Sequence, residues 1–430
     1  MRTRFALFLL ALALPIACAS TAPATPPRPP TGALTSTPVA GAPTATAPAL
    51  TPTPPPAGTP ISALTATAPA TTTTPPVSAN PNTPAATIVA QPLALRGLSV
   101  VNNFEPTTRI GSLFDPQTYA NPNIAGLTFR TSWADVEPAD GSYVWTKLDT
   151  VFDQADQNHK WVELVLIPGF GAPAWALAGV QTGTFAVKYG PGKGDNLALP
   201  VPWDQNYLNR WFAFLQAVST RYGHRPSFIK IAADGPTSVT AEMSLPNADS
   251  DLCTWIRMGY TSSRLVDAWQ QVFARYAQLF PHQYFSLALY PPLPIAAATR
   301  CDHGSLSRVD HAESQRVRAA IVGLGAGYPK QFVLQTNGLT AAKEDPGNSG
   351  AYALVKSYAG QVLTGFQLTT SAIQHPASMG DPDGPTALRA SLQKGVDAQV
   401  QFLEVYEPDV LAPAAQSVLA DFAAALAAPH

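Results

Sequence analysis

The sequence predicts a (β/α)8 barrel, and three observations lead there. Eight short runs rich in Val, Ile, Leu and Phe recur from Leu98 onward. Amphipathic stretches of helical spacing separate them, the alternation that builds βα units around a parallel sheet. No Gly-rich phosphate turn follows the first run, where Val100-Val101-Asn102-Asn103-Phe104 stands, and this argues against a doubly wound open sheet.

The N-terminus reads as an export signal. Arg2 and Arg4 precede the apolar run Phe5–Ile16, which has the length of a signal-peptide core and falls short of the roughly 20 residues a spanning helix needs. Residues 1–19 are therefore expected to direct the protein to the cell surface or beyond. Ala17-Cys18-Ala19 reads in two ways: as a lipoprotein box with Cys18 lipidated and the protein anchored to a membrane, or as an A-x-A site cleaved before Ser20.

Residues 20–92 are expected to be a disordered tether. Thr21–Pro92 holds 19 of the 44 prolines, 18 threonines, no aromatic residue and one charged side chain, Arg28, too little burial to offset chain entropy. The barrel falls in residues 93–430, which carry all 28 acidic residues and 23 of the 26 basic ones, a formal charge of −5. Nucleic acid is not expected as a partner, because phosphate binding normally needs a basic face.

In order, the predicted strands are Gly97–Asn102, Gly126–Thr131, Trp161–Ile167, Phe228–Ala232, Tyr284–Tyr290, Phe332–Gln335, Gly365–Leu368 and Val400–Val405. Leu208, Trp211, Phe212, Leu215 and Val218 form one amphipathic face between them; Leu265, Val266, Trp269, Val272, Phe273 and Tyr276 form another. Val418, Leu419, Phe422 and Leu426 close the ring. Cys253 and Cys301, the other two cysteines, are expected to pair in an exported chain, a link worth on the order of 4 kcal/mol by chain-entropy reasoning.

In such a barrel the chemistry sits at the C-terminal ends of the strands. Arg130, Trp133, Asp135 and Glu137 follow the second strand and Trp175 the third; Asp234 and Glu242 follow the fourth. Asn337, Gln367, Glu404, Tyr406, Glu407 and Asp409 belong to the last three. Aromatic rings, amides and carboxyl groups on one face suit a carbohydrate. The seven histidines form no H-E-x-x-H or H-x-H pair, so neither a metal nor a cofactor is expected, and a monomer is.

Gly126–Ala176 contains an R-x-x-W-x-x-x-E-P-x-x-G-x-Y-x-W-x-x-L-D run followed by a helix, a buried strand and a P-x-W loop. This layout resembles (β/α)8 glycoside hydrolases of families 42 and 5, and the string Gly235-Pro236 with Glu242-Met243-Ser244-Leu245-Pro246 resembles the strand-four loop of β-amylases. The resemblance implies glycosidic-bond hydrolysis with the acid after strand four.

That chemistry needs one protonated and one ionised carboxyl group. Glu242 is the expected proton donor, with Asp234 as the alternative. Strand seven, where the resemblance places the nucleophile, offers only Gln367, so Glu404, a charged residue inside an apolar strand, is the expected second carboxylate. Arg130 would hold it ionised, Trp133, Trp175 and Tyr406 would stack on sugar rings, and Asn337 and Gln367 would fix hydroxyls. In the competing reading Glu404 is a buried partner of Arg130, Glu163 joins the same internal network, and the barrel binds glycan or envelope without cleaving it.

Overall fold

The computed structural model describes residues 94–102, 111–188, 192–238, 242–344 and 350–427, all within the unit Ala85–His430. The predicted signal, the tether and Cys18 lie outside the described residues.

Eight parallel strands close into a barrel: β1 (Gly97–Val101), β2 (Gly126–Ser132), β3 (Trp161–Ile167), β4 (Phe228–Ala232), β5 (Tyr284–Ala288), β6 (Phe332–Leu339), β7 (Leu363–Leu368) and β8 (Phe402–Tyr406). Each pairs with its sequence neighbours, and β1 pairs with β8 from Gly97↔Phe402 to Val101↔Tyr406 to shut the ring. Outer helices follow the strands in turn: α1 (Pro116–Ala120), α2 (Thr146–Gln157), α3 (Gln205–Tyr222), α4 (Ser262–Leu279), α5 (His311–Ala326), α6 (Ala351–Ser357), α7 (Gly384–Asp397) and α8 (Gln416–Ala427).

The longest helices form where a cap meets an apolar stripe. Asp204 accepts from the Tyr207 amide and Thr261 from the Arg264 amide, which satisfies donors that the first turns of α3 and α4 leave open. Tyr207, Leu208, Trp211, Phe214, Leu215 and Val218 of α3 are then buried against the strands, as are Leu265, Trp269, Val272, Phe273 and Tyr276 of α4.

Two features lie beyond the sequence reading. Thr182–Ala186 and Asn196–Pro200 pair as an antiparallel hairpin in the connection after β3, and Cys301–Asp302 with Ser305–Leu306 form a shorter one. The expected disulfide is present: Cys253, on the helix Asp249–Arg257 after β4, bonds Cys301 after β5 across a Cα separation of 5.4 Å.

The barrel interior is layered. Its floor is an apolar plug of Leu95, Trp161, Ile229, Val333 and Phe402. Gly126 and Gly365 make room for it, since a Cβ at those positions would stand 2.2 Å from the Trp161 ring and 2.1 Å from the Phe402 ring. Charged and hydroxyl groups fill the layer above, and the rim is polar.

Candidate active site

The rim is set by local chain geometry. Asn102, just beyond β1, holds β2 through its side chain: it accepts from the Arg130 amide at 2.7 Å and donates to the Arg130 carbonyl at 3.1 Å. The Arg130 guanidinium donates to the Asn102 carbonyl at 2.5 Å and stands 5.9 Å from the Tyr406 ring centroid. Beyond β4, Tyr276 donates to the Asp234 carbonyl and accepts from its amide, while the Trp211 indole donates to the same carbonyl at 2.9 Å. The chain then returns to the barrel at Glu242, which bridges to Ala288 of β5, with the Met243 amide donating to the Ala288 carbonyl at 3.0 Å. A loop carboxylate thereby becomes a rim residue.

Glu242 is half-buried, and Asn337 of β6 donates to its Oε1 at 3.3 Å. Burial pushes the Glu242 carboxyl above the ordinary glutamate value, while its own backbone amide, Asn337 and the Arg130 charge pull it partly back. Gln367 donates to the Tyr406 hydroxyl at 3.0 Å. Arg130, Glu242, Asn337, Gln367 and Tyr406 are thus brought to one face. Asp234 is fully buried beside them, and among the described residues neither carboxyl oxygen meets a donor. Burial, with the nearby carboxyl groups of Glu163 and Glu242, raises its pKa well above the aspartate range.

Glu404 lies one layer down and is 1% exposed. Its Oε1 accepts from Lys230 at 3.0 Å and lies 3.0 Å from the Thr128 hydroxyl. The same ammonium reaches Glu163 Oε2 at 2.8 Å and Gln335 Oε1 at 2.9 Å, so its three donors have three acceptors. It also stands 3.8 Å from the Phe402 ring centroid, on the apolar floor. Ser286 donates to Glu163 Oε1 at 3.0 Å. Two equally buried carboxyl groups share one ammonium, and their hydrogen bonds and charges settle which keeps a proton. Burial drives Glu163 up to about 8, only partly countered by Lys230. Burial would raise Glu404 too, but there Lys230 together with hydrogen bonds from Glu163 and Thr128 outweighs it and lowers that group below the ordinary glutamate value. The positive charge beside Glu404 is therefore Lys230, in the place where the sequence suggested Arg130.

The structure keeps Trp133 away from the rim. Ser132 caps a short helix, Trp133–Val136, in a capping box with Asp135, and the turn sends the indole outward to 0% exposure. There it packs on Trp175, Tyr207, Trp211 and Phe214, with centroids 5.2 to 6.2 Å away. Its N–H donates to Glu137 Oε2 at 2.8 Å, and Glu137 Oε1 accepts from the Gly141 amide at 3.0 Å. Gly141 has φ of +68°, so the W-x-x-x-E-P-x-x-G run is a clasp around a turn that favours glycine. Half-buried Trp175 joins it, donating to the Glu137 carbonyl at 3.1 Å.

The other acids near the rim are engaged in holding loops. Glu407 accepts from the Asp115 amide and the Thr118 hydroxyl, and Asp409 from the Ser371 hydroxyl and the Ile373 amide. Two surface clefts of about 460 Å³ open on the flanks, one including Tyr260, Arg300 and Arg316, the other Trp203, Asp204 and Arg264. Neither includes a rim residue, and the chemistry follows the carboxyl groups rather than cavity size. Sequence reasoning missed Lys230 and Gln335, although a lysine inside the apolar run Phe228–Ala232 was a visible signal.

The sequence model of glycoside hydrolase family 42, described as β-galactosidase, matches residues 121–281. No curated protein matches the chain. The catalytic domain of β-amylase from Paenibacillus polymyxa aligns at a TM-score of 0.48 and 11% identity, covering 77% of this chain and 99% of its own. A mutant of xylanase 10C from Cellvibrio japonicus, in complex with xylopentaose, aligns at 0.46 and 12%, covering 78% and 69%. Endo-glycoceramidase II from Rhodococcus sp. aligns at 0.42 and 14%, covering 76% and 78%. No residue role follows from likenesses at this level. The closed parallel barrel and the match over residues 121–281 mark this chain as a glycosidase similar to the family 42 β-galactosidases.

Proposed function

We propose an exported glycosidase that cleaves O-glycosidic bonds of a poly- or oligosaccharide, with Glu242 as proton donor and Glu404 as its ionised partner. The observation that carries it is the position of Glu242, a half-buried carboxyl group within the family-matched segment and beside Arg130, Asn337 and Tyr406. Two carboxyl groups whose surroundings push their proton affinities apart divide into acid and base. Here burial favours the protonated form of Glu242, and Lys230 favours the ionised form of Glu404. Tyr406 supplies a stacking face, and Gln367 and Asn337 supply amides for sugar hydroxyls. The signal-like N-terminus supports export, with Cys18 as the proposed lipid anchor.

A second reading has a specific observation in its favour. Glu404 is sealed beneath the rim with Lys230, and the end of β7 carries Gln367 rather than an acid, as in a barrel that binds glycan without cleaving it. Purified protein assayed on a panel of aryl glycosides and polysaccharides separates the two. Turnover with release of reducing sugar is expected; glycan binding without turnover by properly folded protein contradicts the hydrolytic reading.

A further inference from the structure

A line of hydrogen bonds connects the buried charge to the rim. Lys230 donates to Gln335 Oε1 at 2.9 Å, Gln335 Nε2 donates to Asn337 Oδ1 at 2.9 Å, and Asn337 Nδ2 donates to Glu242 Oε1 at 3.3 Å. The direction of this line is chemically determined. An ammonium has donors only, so Gln335 must turn its carbonyl oxygen toward Lys230. Its NH2 is then the group that faces Asn337, which must answer with its own carbonyl oxygen. The second amide therefore presents an N–H to Glu242. Gln335 is 2% exposed on an interior-facing position of β6, with its oxygen held by Lys230 and its amide nitrogen by Asn337.

We propose that Gln335 is a positioning residue: it transmits the donor-only character of Lys230 through Asn337 to Glu242, so that an N–H occupies Oε1 and the carboxyl proton resides on Oε2. This rests on the assignment of Glu242 as proton donor and adds what fixes the donor's geometry. A proton free to sit on either oxygen would face the leaving group only part of the time. The other groups that act on Glu242 are its own backbone amide, Arg130 from β2, Asp234 beyond β4 and Tyr406 from β8, none of which belongs to the line.

The test is titration of the Glu242 side-chain carboxyl by carbon-13 NMR, its resonance identified by its loss in Glu242→Gln. Gln335→Met removes the link while keeping volume, and Asn337 is then free to turn over. The Glu242 midpoint is expected to rise by about one pH unit, because a donor to the ionised form is lost. In kinetics the basic limb of kcat/KM should move up with it, with kcat falling several-fold and KM little changed. Asn337→Leu, at a half-exposed site, removes the donor itself and should raise the midpoint equally. If Asn337→Leu raises it and folded Gln335→Met does not, Asn337 holds its own orientation and the role of Gln335 is refuted; no change in either variant refutes the line as a whole. Should wild-type protein show no turnover while the midpoint still shifts, the line stands and only the hydrolytic reading fails.

Discussion

Two neighbouring layers of one barrel treat carboxyl groups in opposite ways. In the interior layer Lys230 satisfies its three donors with Glu163, Glu404 and Gln335, and Thr128 and Ser286 supply hydroxyls. At the rim Glu242 has one side-chain donor at 3.3 Å and partial access to solvent. A buried ion costs several kcal/mol unless it is paired and hydrogen-bonded, so a charged interior has to be closed in this way. A half-exposed acid does not, and its unfilled positions are where a substrate binds. Partner number and access, more than residue type, set which glutamate holds a proton here.

The largest effect should come from opening the interior layer. Lys230→Met leaves two buried carboxyl groups without their cation, and a loss of about 3–5 kcal/mol in unfolding free energy is expected from denaturant titration. A loss below 1 kcal/mol would mean that the layer is not held by its charge.

A smaller, pH-dependent effect follows from Glu163. Its pKa is raised in the folded state from an ordinary 4.5 to about 8, so its contribution is fully present below about 4.5 and is lost as pH rises through 8. Wild-type Tm should therefore decline between pH 5 and 8 more steeply than that of Glu163→Gln. Asp234, Glu242, Glu407 and Asp409 are shifted in the same direction and remain in both proteins, so the difference isolates Glu163 and its coupled partner. Parallel Tm curves would show that Glu163 does not retain its proton. Smallest of all should be the effect of Glu242→Gln on stability, within about 1 kcal/mol, since the amide keeps the shape of the carboxyl group and an oxygen to accept from Asn337 at a half-buried site.

The same contrast explains what was legible in the sequence. The strands were, because each is an apolar run buried on both faces, and the helices, because their stripes repeat at 3.6 residues. Trp161–Ile167 and Phe228–Ala232 agree with the structure at both ends. The hairpin Thr182–Ala186 with Asn196–Pro200 was not, because its strands alternate around glycines in a long connection. Trp133 was placed by counting from the end of a strand, and one capped helical turn was enough to send it into the wall. The reasoning that singled out Glu404, a charge inside an apolar strand, applies equally to Lys230, and joining the two would have found the interior layer. What sequence alone lacks is which interior groups share a level, and that depends on barrel stagger.

The central claim is that Glu242 protonates the leaving group, and the most direct measurement compares Glu242→Gln with wild type on two substrates that share a sugar and differ in leaving group. On a natural saccharide, whose departing alkoxide needs a proton, turnover should fall by about 10²- to 10⁴-fold with sugar affinity little changed. On an activated aryl glycoside, which departs without that help, the loss should be far smaller. An equal loss on both would contradict the account, as would full activity of Glu242→Gln on the saccharide alongside an inactive Asp234→Asn, which would make the buried aspartate the acid.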